Sequence, residues 1–151
     1  MFKNILCPID LNPRSKMALR KAINIAYQFN SKIFLLNIHE EFISKKQMVM
    51  SRISVNALGD EFKKIALEAK NDMRTLVKEL EADDIDCEYV LRDGAPPEVI
   101  VKIAREKDVD LIVMGTNGRN SLSDYIIGST TQKVIEQSKC PVLVMPKGNK
   151  E

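Results

Sequence analysis

Val109-Asp110-Leu111-Ile112-Val113-Met114-Gly115-Thr116-Asn117-Gly118-Arg119-Asn120-Ser121-Leu122-Ser123-Asp124-Tyr125-Ile126-Ile127-Gly128-Ser129-Thr130 passes from an aliphatic strand, Val109 to Met114, into a stretch with three of the chain's six glycines, then into a helix. Strand, glycine loop and helix in that order form the layout of a phosphate cradle. Glycines at a strand exit let the backbone take positive φ and bring N–H groups close to an anion. A helix beginning at Gly128-Ser129-Thr130 leaves its first donors unpaired at its positive end. The spacing Gly-x2-Gly-x9-Gly-Ser is neither a Walker A loop nor a dinucleotide fingerprint, because no Gly-Lys-Ser/Thr and no G-x-G-x-x-G occurs in the chain.

Outward from this stretch, similar aliphatic runs recur at Asn4 to Ile9, Lys32 to Ile38, Asp86 to Leu91 and Pro141 to Met145, with helical patterns between them. Runs so continuously apolar suit strands covered on both faces. The expected fold is α/β: one doubly wound domain over residues 1–147 with a five-stranded parallel sheet, helices on both faces, and a polar tail at 148–151. In the first helix Asn12 is the expected N-cap and Pro13 the first helical residue. Met17, Ala18, Ala22, Ile25 and Ala26 share its buried side, and it ends near Asn30. A second helix places Leu58, Phe62, Ile65, Ala69, Met73, Leu76 and Leu80 at three- and four-residue steps, and Pro96-Pro97 opens a shorter one with Val99, Ile100 and Ile103. These stripes read as core. Glu40 to Asn56 fits neither period and is expected to be a long connection, either a loop over the sheet edge or a lid or partner surface.

Composition narrows the function classes. A net charge of +2, from 23 basic and 21 acidic residues spread along 151 positions, gives no nucleic-acid or membrane surface. Cys7, Cys87 and Cys140 are far apart in apolar contexts without C-x-x-C, which predicts buried reduced thiols and a cytoplasmic location. Pro8 and Asp10 interrupt the N-terminus before any signal-length apolar run.

In an open parallel sheet, ligands bind outside the carboxyl ends of the strands, so the candidates gather there. Asp10 follows the first strand, Ile38-His39 closes the second, Asp93-Gly94 the third and Gly115 the fourth. A carboxylate at Asp10 can accept hydrogen bonds from ribose hydroxyls or hold a phosphate-bound metal, or it can simply serve the first helix as a cap or ion-pair partner. His39 is the only histidine, which excludes an imidazole metal cluster, and a half-exposed strand-end residue is expected. No nucleophile elbow accompanies Ser121, Ser123 or Ser129, which are better placed to cap helices or hold phosphate. Arg119 can reach a phosphate or stay solvated.

With Asp10 after strand one and Gly115-x2-Gly118-x9-Gly128-Ser129 before the last helix, the chain resembles the universal stress protein family. The resemblance runs through Lys3 to Asp10, the Asp93-Gly94-Ala95-Pro96 turn, Asp110 to Gly115 and Cys140 to Met145. The glycine spacing is the one associated with that family's ATP-binding branch. What the resemblance implies is an adenine nucleotide alpha hydrolase-like fold binding ATP, with Mg2+ or Mn2+ held through the phosphates. Gly115, Gly118, Gly128, Ser129 and Thr130 would surround the phosphates, with Met114 and Arg119 beside them. Asp10 would lie near the ribose, the backbone around Ile38 would contact adenine, and Pro8 would shape the pocket. It also implies a homodimer through the last strand, 141–146, whose apolar edge needs a partner. Three positions depart from the family pattern: Asn117 stands for a histidine, Ser121 for a glycine, and Thr130 for a small aliphatic residue.

The leading expectation is an ATP-binding stress-response or regulatory protein, a binder first, with at most slow hydrolysis or autophosphorylation. Fast hydrolysis needs a positioned water, a base and a charge-stabilising group around the γ-phosphate, and beyond Arg119 and a phosphate-bound metal the sequence offers no obvious set. The alternative is a nucleotide-free interaction module using the 40–56 loop. A phosphoacceptor receiver domain, built on Asp10, Asp93, Thr116 and Lys147, is a third reading.

Overall fold

The computed structural model describes residues 1–11, 15–39, 55–116 and 127–146. The chain order is β1 (Asn4–Pro8), α1 (Ser15–Phe29), β2 (Lys32–His39), α2 (Val55–Glu79), β3 (Cys87–Asp93), α3 (Pro96–Glu106), β4 (Leu111–Gly115), α4 (Ser129–Gln137) and β5 (Val142–Met145). Asn12 and Pro13, expected to start α1, lie outside the described residues, as do 40–54 of the expected connection and the tail from 147. The last two positions assigned to that connection, Val55 and Asn56, already belong to α2.

All five strands are parallel, in the order β3-β2-β1-β4-β5. The chain therefore winds outward from β1 through β2 to β3, then crosses to the other side of β1 to lay down β4 and β5. The reversal falls between β1 and β4, where Ile5 is level with Leu111 and Leu6 with Ile112. Connections to either side of that line diverge and leave a crevice above the strand ends.

Strand side chains alternate between two faces, and each face has its own core. Ile5, Cys7, Ile9, Ile33, Leu35, Leu111 and Val113 join residues of α1 and α2, including Leu19, Ala22, Met73 and Val77. Leu6, Phe34, Leu36, Val90, Ile112 and Met114 join Ile100 and Ile103 of α3 and Val134 of α4. This is a three-layer αβα sandwich, which explains why the strands read as unbroken aliphatic runs: both faces are covered.

The helices largely follow their sequence signals. The buried stripe of α1 is Ala18, Leu19, Ala22, Ile23 and Ala26, rotated slightly from the expected one, so that Met17 and Ile25 lie half-buried at its margins. Asn30 takes φ 55°, and the Ser31 N–H donates to the Ala26 carbonyl at 3.0 Å, which closes the helix in a left-handed turn. In α2, Ala69, Met73, Leu76 and Val77 are buried. In α3, Pro97 sits in the first turn and Ile100 and Ile103 face the core. Of the three free thiols only Cys7 is fully buried; Cys87 and Cys140 are half-buried, a partial correction to the expectation. Burial pushes the Cys7 thiol far up and the Cys87 thiol up to about 12, which keeps both protonated and unreactive.

Candidate functional site

The crevice between β1 and β4 is built by two strand exits and one helix start. On the β1 side, Pro8 ends the strand, Ile9 is buried, and Asp10 emerges exposed. Leu11 then takes φ 63°, a left-handed conformation uncommon outside glycine, so the chain turns sharply just after the carboxylate. Ser15, the first residue of α1, donates its hydroxyl hydrogen to Asp10 Oδ1 and accepts from the Asp10 N–H at 3.3 Å. The expectation that Asp10 serves the first helix is borne out by this pair of bonds.

On the β4 side, Met114 is buried in the core beneath Gly115, the last residue of the strand. Two hydrogen bonds pin the start of α4 to this strand end. The Gly128 N–H donates to the Thr116 carbonyl at 2.6 Å, and Thr131 Oγ1 donates to the Gly115 carbonyl at 2.9 Å. Thr131 is 3% exposed, so this clamp is sheltered from water. Gly128 caps α4 with no side-chain hydrogen bond, and the first intrahelical bond runs from the Gln132 N–H to the Gly128 carbonyl at 3.0 Å. Helix geometry leaves the N–H groups of Ser129, Thr130 and Thr131 without an intrahelical acceptor, facing the crevice mouth with the positive end of the dipole. Gly118 and Arg119 lie outside the described residues.

The reason these positions are glycine differs from the one expected. Gly128 has φ −65°, open to any residue, and Gly115 is not in the left-handed region either. Nor does packing against the described residues demand glycine at 115: a Cβ built there meets none of their atoms within 4 Å. In contrast, Gly94, in the turn after β3, has φ 138°, and a Cβ there would come 2.7 Å from Val99 Cγ2. That glycine is structural.

Ile38 sits near the end of β2, next to β1 on the side away from β4. Beside it, Asn37 is 5% exposed, and its Nδ2 donates to the Ile9 carbonyl at 3.0 Å, which ties the exit of β1 to β2. His39 ends the strand half-buried, as expected. The sheet therefore gathers Pro8, Asp10, Ile38, Met114, Gly115, Gly128, Ser129 and Thr130 around three adjacent strand ends and the start of α4. Asp93 is left out. It pairs with His39 on the edge strand β3, with β2 between it and β1, so Asp93 and Thr116 do not share the close quarters a receiver domain needs.

Three contributors escaped the sequence reading: Thr131, Ser15 and Asn37. The last carried a signal, as the one amide inside an aliphatic run. Among the described residues no group of three or more His, Cys, Asp or Glu is placed to hold a metal ion, and no helix is long and apolar enough to cross a membrane. A cavity of about 210 Å³ lined by Arg105, Val109, Lys139 and Cys140 lies at the opposite, amino-terminal ends of β4 and β5, away from all of this chemistry.

Comparison with known proteins agrees with this fold. The sequence pattern of the Universal stress protein family matches residues 1–146. Universal stress protein MJ0577 of Methanocaldococcus jannaschii is 34% identical over 99% of this chain and 98% of its own length. A solved structure of MJ0577 superposes with TM-score 0.78 at 32% identity, covering 99% of both chains. More distant in sequence, a universal stress protein solved in complex with cAMP shares the fold at 21% identity and TM-score 0.67, covering 97% of this chain and 98% of its own. The universal stress protein of Archaeoglobus fulgidus in complex with dAMP shares it at 20% identity and TM-score 0.62, covering 95% of this chain and 97% of its own.

Proposed function

Because this chain belongs to the universal stress protein family, we propose that it is an ATP-binding member, a regulatory or stress-response protein whose nucleotide occupies the crevice between β1 and β4. The observation that carries this reading is Gly115. Its missing side chain is needed neither by the backbone nor by packing against the described residues, and it leaves room beside the start of α4, whose cap Gly128 offers no side-chain hydrogen bond. A side chain absent without structural cause fits a volume reserved for a ligand, and the unpaired N–H groups of that helix start favour an anionic one. Phosphates at Gly115, Gly128, Ser129 and Thr130 would leave the ribose over β1, within reach of Asp10, and the base over β2 at the backbone of Ile38. Pro8 would form part of the floor, and Gly118 and Arg119 are assigned to the phosphates from their place in the glycine loop. A divalent cation, Mg2+ or Mn2+, would be held mainly through the phosphate oxygens.

That distant members of the fold hold cAMP and dAMP indicates what the architecture can accommodate, while the choice of ATP here rests on the glycine spacing, the one associated with the family's ATP-binding branch. Donors arranged to hold phosphate dominate the crevice, so binding, with at most slow hydrolysis or autophosphorylation, is the role proposed. Calorimetric titration of Asp10→Ala with ATP is expected to show affinity reduced about 10-fold to 100-fold, the effect of losing a charged acceptor for ribose hydroxyls. Unchanged affinity in a folded variant would remove Asp10 from the site.

The same reading includes a homodimer through 141–146. β5 is an edge strand, paired with β4 on one side, and all four of its residues are only half-buried. An apolar edge of this kind associates with another strand unless it is covered. Sedimentation equilibrium at micromolar concentration is expected to return twice the chain mass; the monomer mass would exclude a stable dimer.

A further inference from the structure

At the end of β2, two buried polar atoms have no hydrogen-bond partner among the described residues, Asn37 Oδ1 and His39 Nε2. They are two residues apart on one strand, and so on one face of the sheet. A buried acceptor left unpaired costs roughly 1–3 kcal/mol, and native proteins hold few of them, so a pair at one strand end calls for an explanation. The orientation of Asn37 is not free to relieve the problem. Its Nδ2 is committed to the Ile9 carbonyl at 3.0 Å, which fixes Oδ1 as the atom turned away from that bond, an acceptor waiting for a donor.

We propose that Asn37 is the base-reading residue of this protein, with Oδ1 accepting a hydrogen bond from the exocyclic 6-amino group of an adenine ring. This rests on the nucleotide reading above and deepens it. The argument is positional. The sheet order β2-β1-β4 sets the three parts of a nucleotide side by side: phosphate at Gly115 and α4, ribose at Asp10, base at β2. From β4 to β2 is two strand spacings, roughly 10 Å, a span a nucleoside phosphate covers. Asn37 lies on β2 where it is hydrogen-bonded to Ile9, the residue immediately before Asp10, so it belongs to the same rim. His39 Nε2, two residues on along the same face, is a second polar atom without a partner among the described residues. A site with an unpaired buried acceptor rewards a ligand that brings a donor and rejects one that does not.

The test uses the full-length protein and three triphosphates that differ only at purine position 6: ATP, with an amino group; purine riboside triphosphate, with hydrogen; and inosine triphosphate, with a carbonyl oxygen. Calorimetric titration of the wild-type chain is expected to give ATP about 10-fold to 100-fold tighter than the other two. In Asn37→Leu, which keeps the shape and removes the acceptor, the three affinities should converge to within about threefold. ATP binding to wild type without discrimination overturns the proposal while leaving the nucleotide site standing, as does a folded Asn37→Leu that discriminates as before. Binding of none of the three contradicts the nucleotide reading and this one with it. Should Asn37→Leu fail to fold for want of the bond to Ile9, Asn37→Ser, which keeps a polar hydrogen there and withdraws the amide oxygen, takes its place and is read against the same two outcomes, since the backbone of Ile38 could discriminate in the wild type by itself.

Discussion

Replacing Gly115 by valine is expected to leave the fold and its unfolding midpoint unchanged and to weaken ATP binding by about 100-fold or more. The two halves of this result have separate causes. Gly115 is the last residue of β4, level with Met145 of β5, and has no left-handed φ, so a β-branched residue suits its backbone. Among the described residues an added Cβ meets no atom within 4 Å, so none of them resists it. The same side chain would fill the space beside the start of α4, where phosphate oxygens must approach the backbone. Thermal unfolding and calorimetric titration on one preparation measure both. A folded variant that binds ATP like the wild type would show that the open volume is not the ligand's.

Gly94→Ala should do the reverse: it should lower stability by about 3 kcal/mol, a large share of the total for a domain of this size, without touching the crevice. The residue holds φ 138°, a conformation L-residues rarely adopt, and the new methyl would lie 2.7 Å from Val99 Cγ2 in the first turn of α3. Backbone strain and a steric clash act together, and neither can relax without moving the turn that delivers Pro96 and Pro97 into the helix. Urea unfolding checks this through a shifted midpoint at constant slope. A change below about 0.5 kcal/mol would mean the turn adapts freely.

These two glycines also mark what the sequence could and could not disclose. The strands were readable because each is sandwiched between helix layers and so is aliphatic throughout, and the helices because their stripes keep a 3.6-residue period. The candidate site was placed by chain order alone, since strand exits in a doubly wound sheet converge. The role of each glycine was not readable. Gly94 and Gly115 look alike in sequence, yet only the first is required by its dihedral angle and its close neighbour. Thr131 escaped because its hydroxyl acts across the loop on Gly115, 16 positions earlier in the chain, a contact with no local signature. Asn37 looked like a break in an apolar run, and only three-dimensional bonding shows that one end of its amide is committed while the other is unpaired among the described residues. Asp10 was left open between helix partner and ligand group; the bond to Ser15 shows that it is the former, and titration of Asp10→Ala with ATP tests the latter.

The central claim, that the crevice between β1 and β4 holds an adenine nucleotide, is tested most directly by denaturing the purified protein and identifying the small molecules released by chromatography and mass spectrometry. The account predicts ATP or ADP in near-stoichiometric amount, or full occupancy once ATP is added. A protein that releases no nucleotide and ignores millimolar ATP in titration would contradict it.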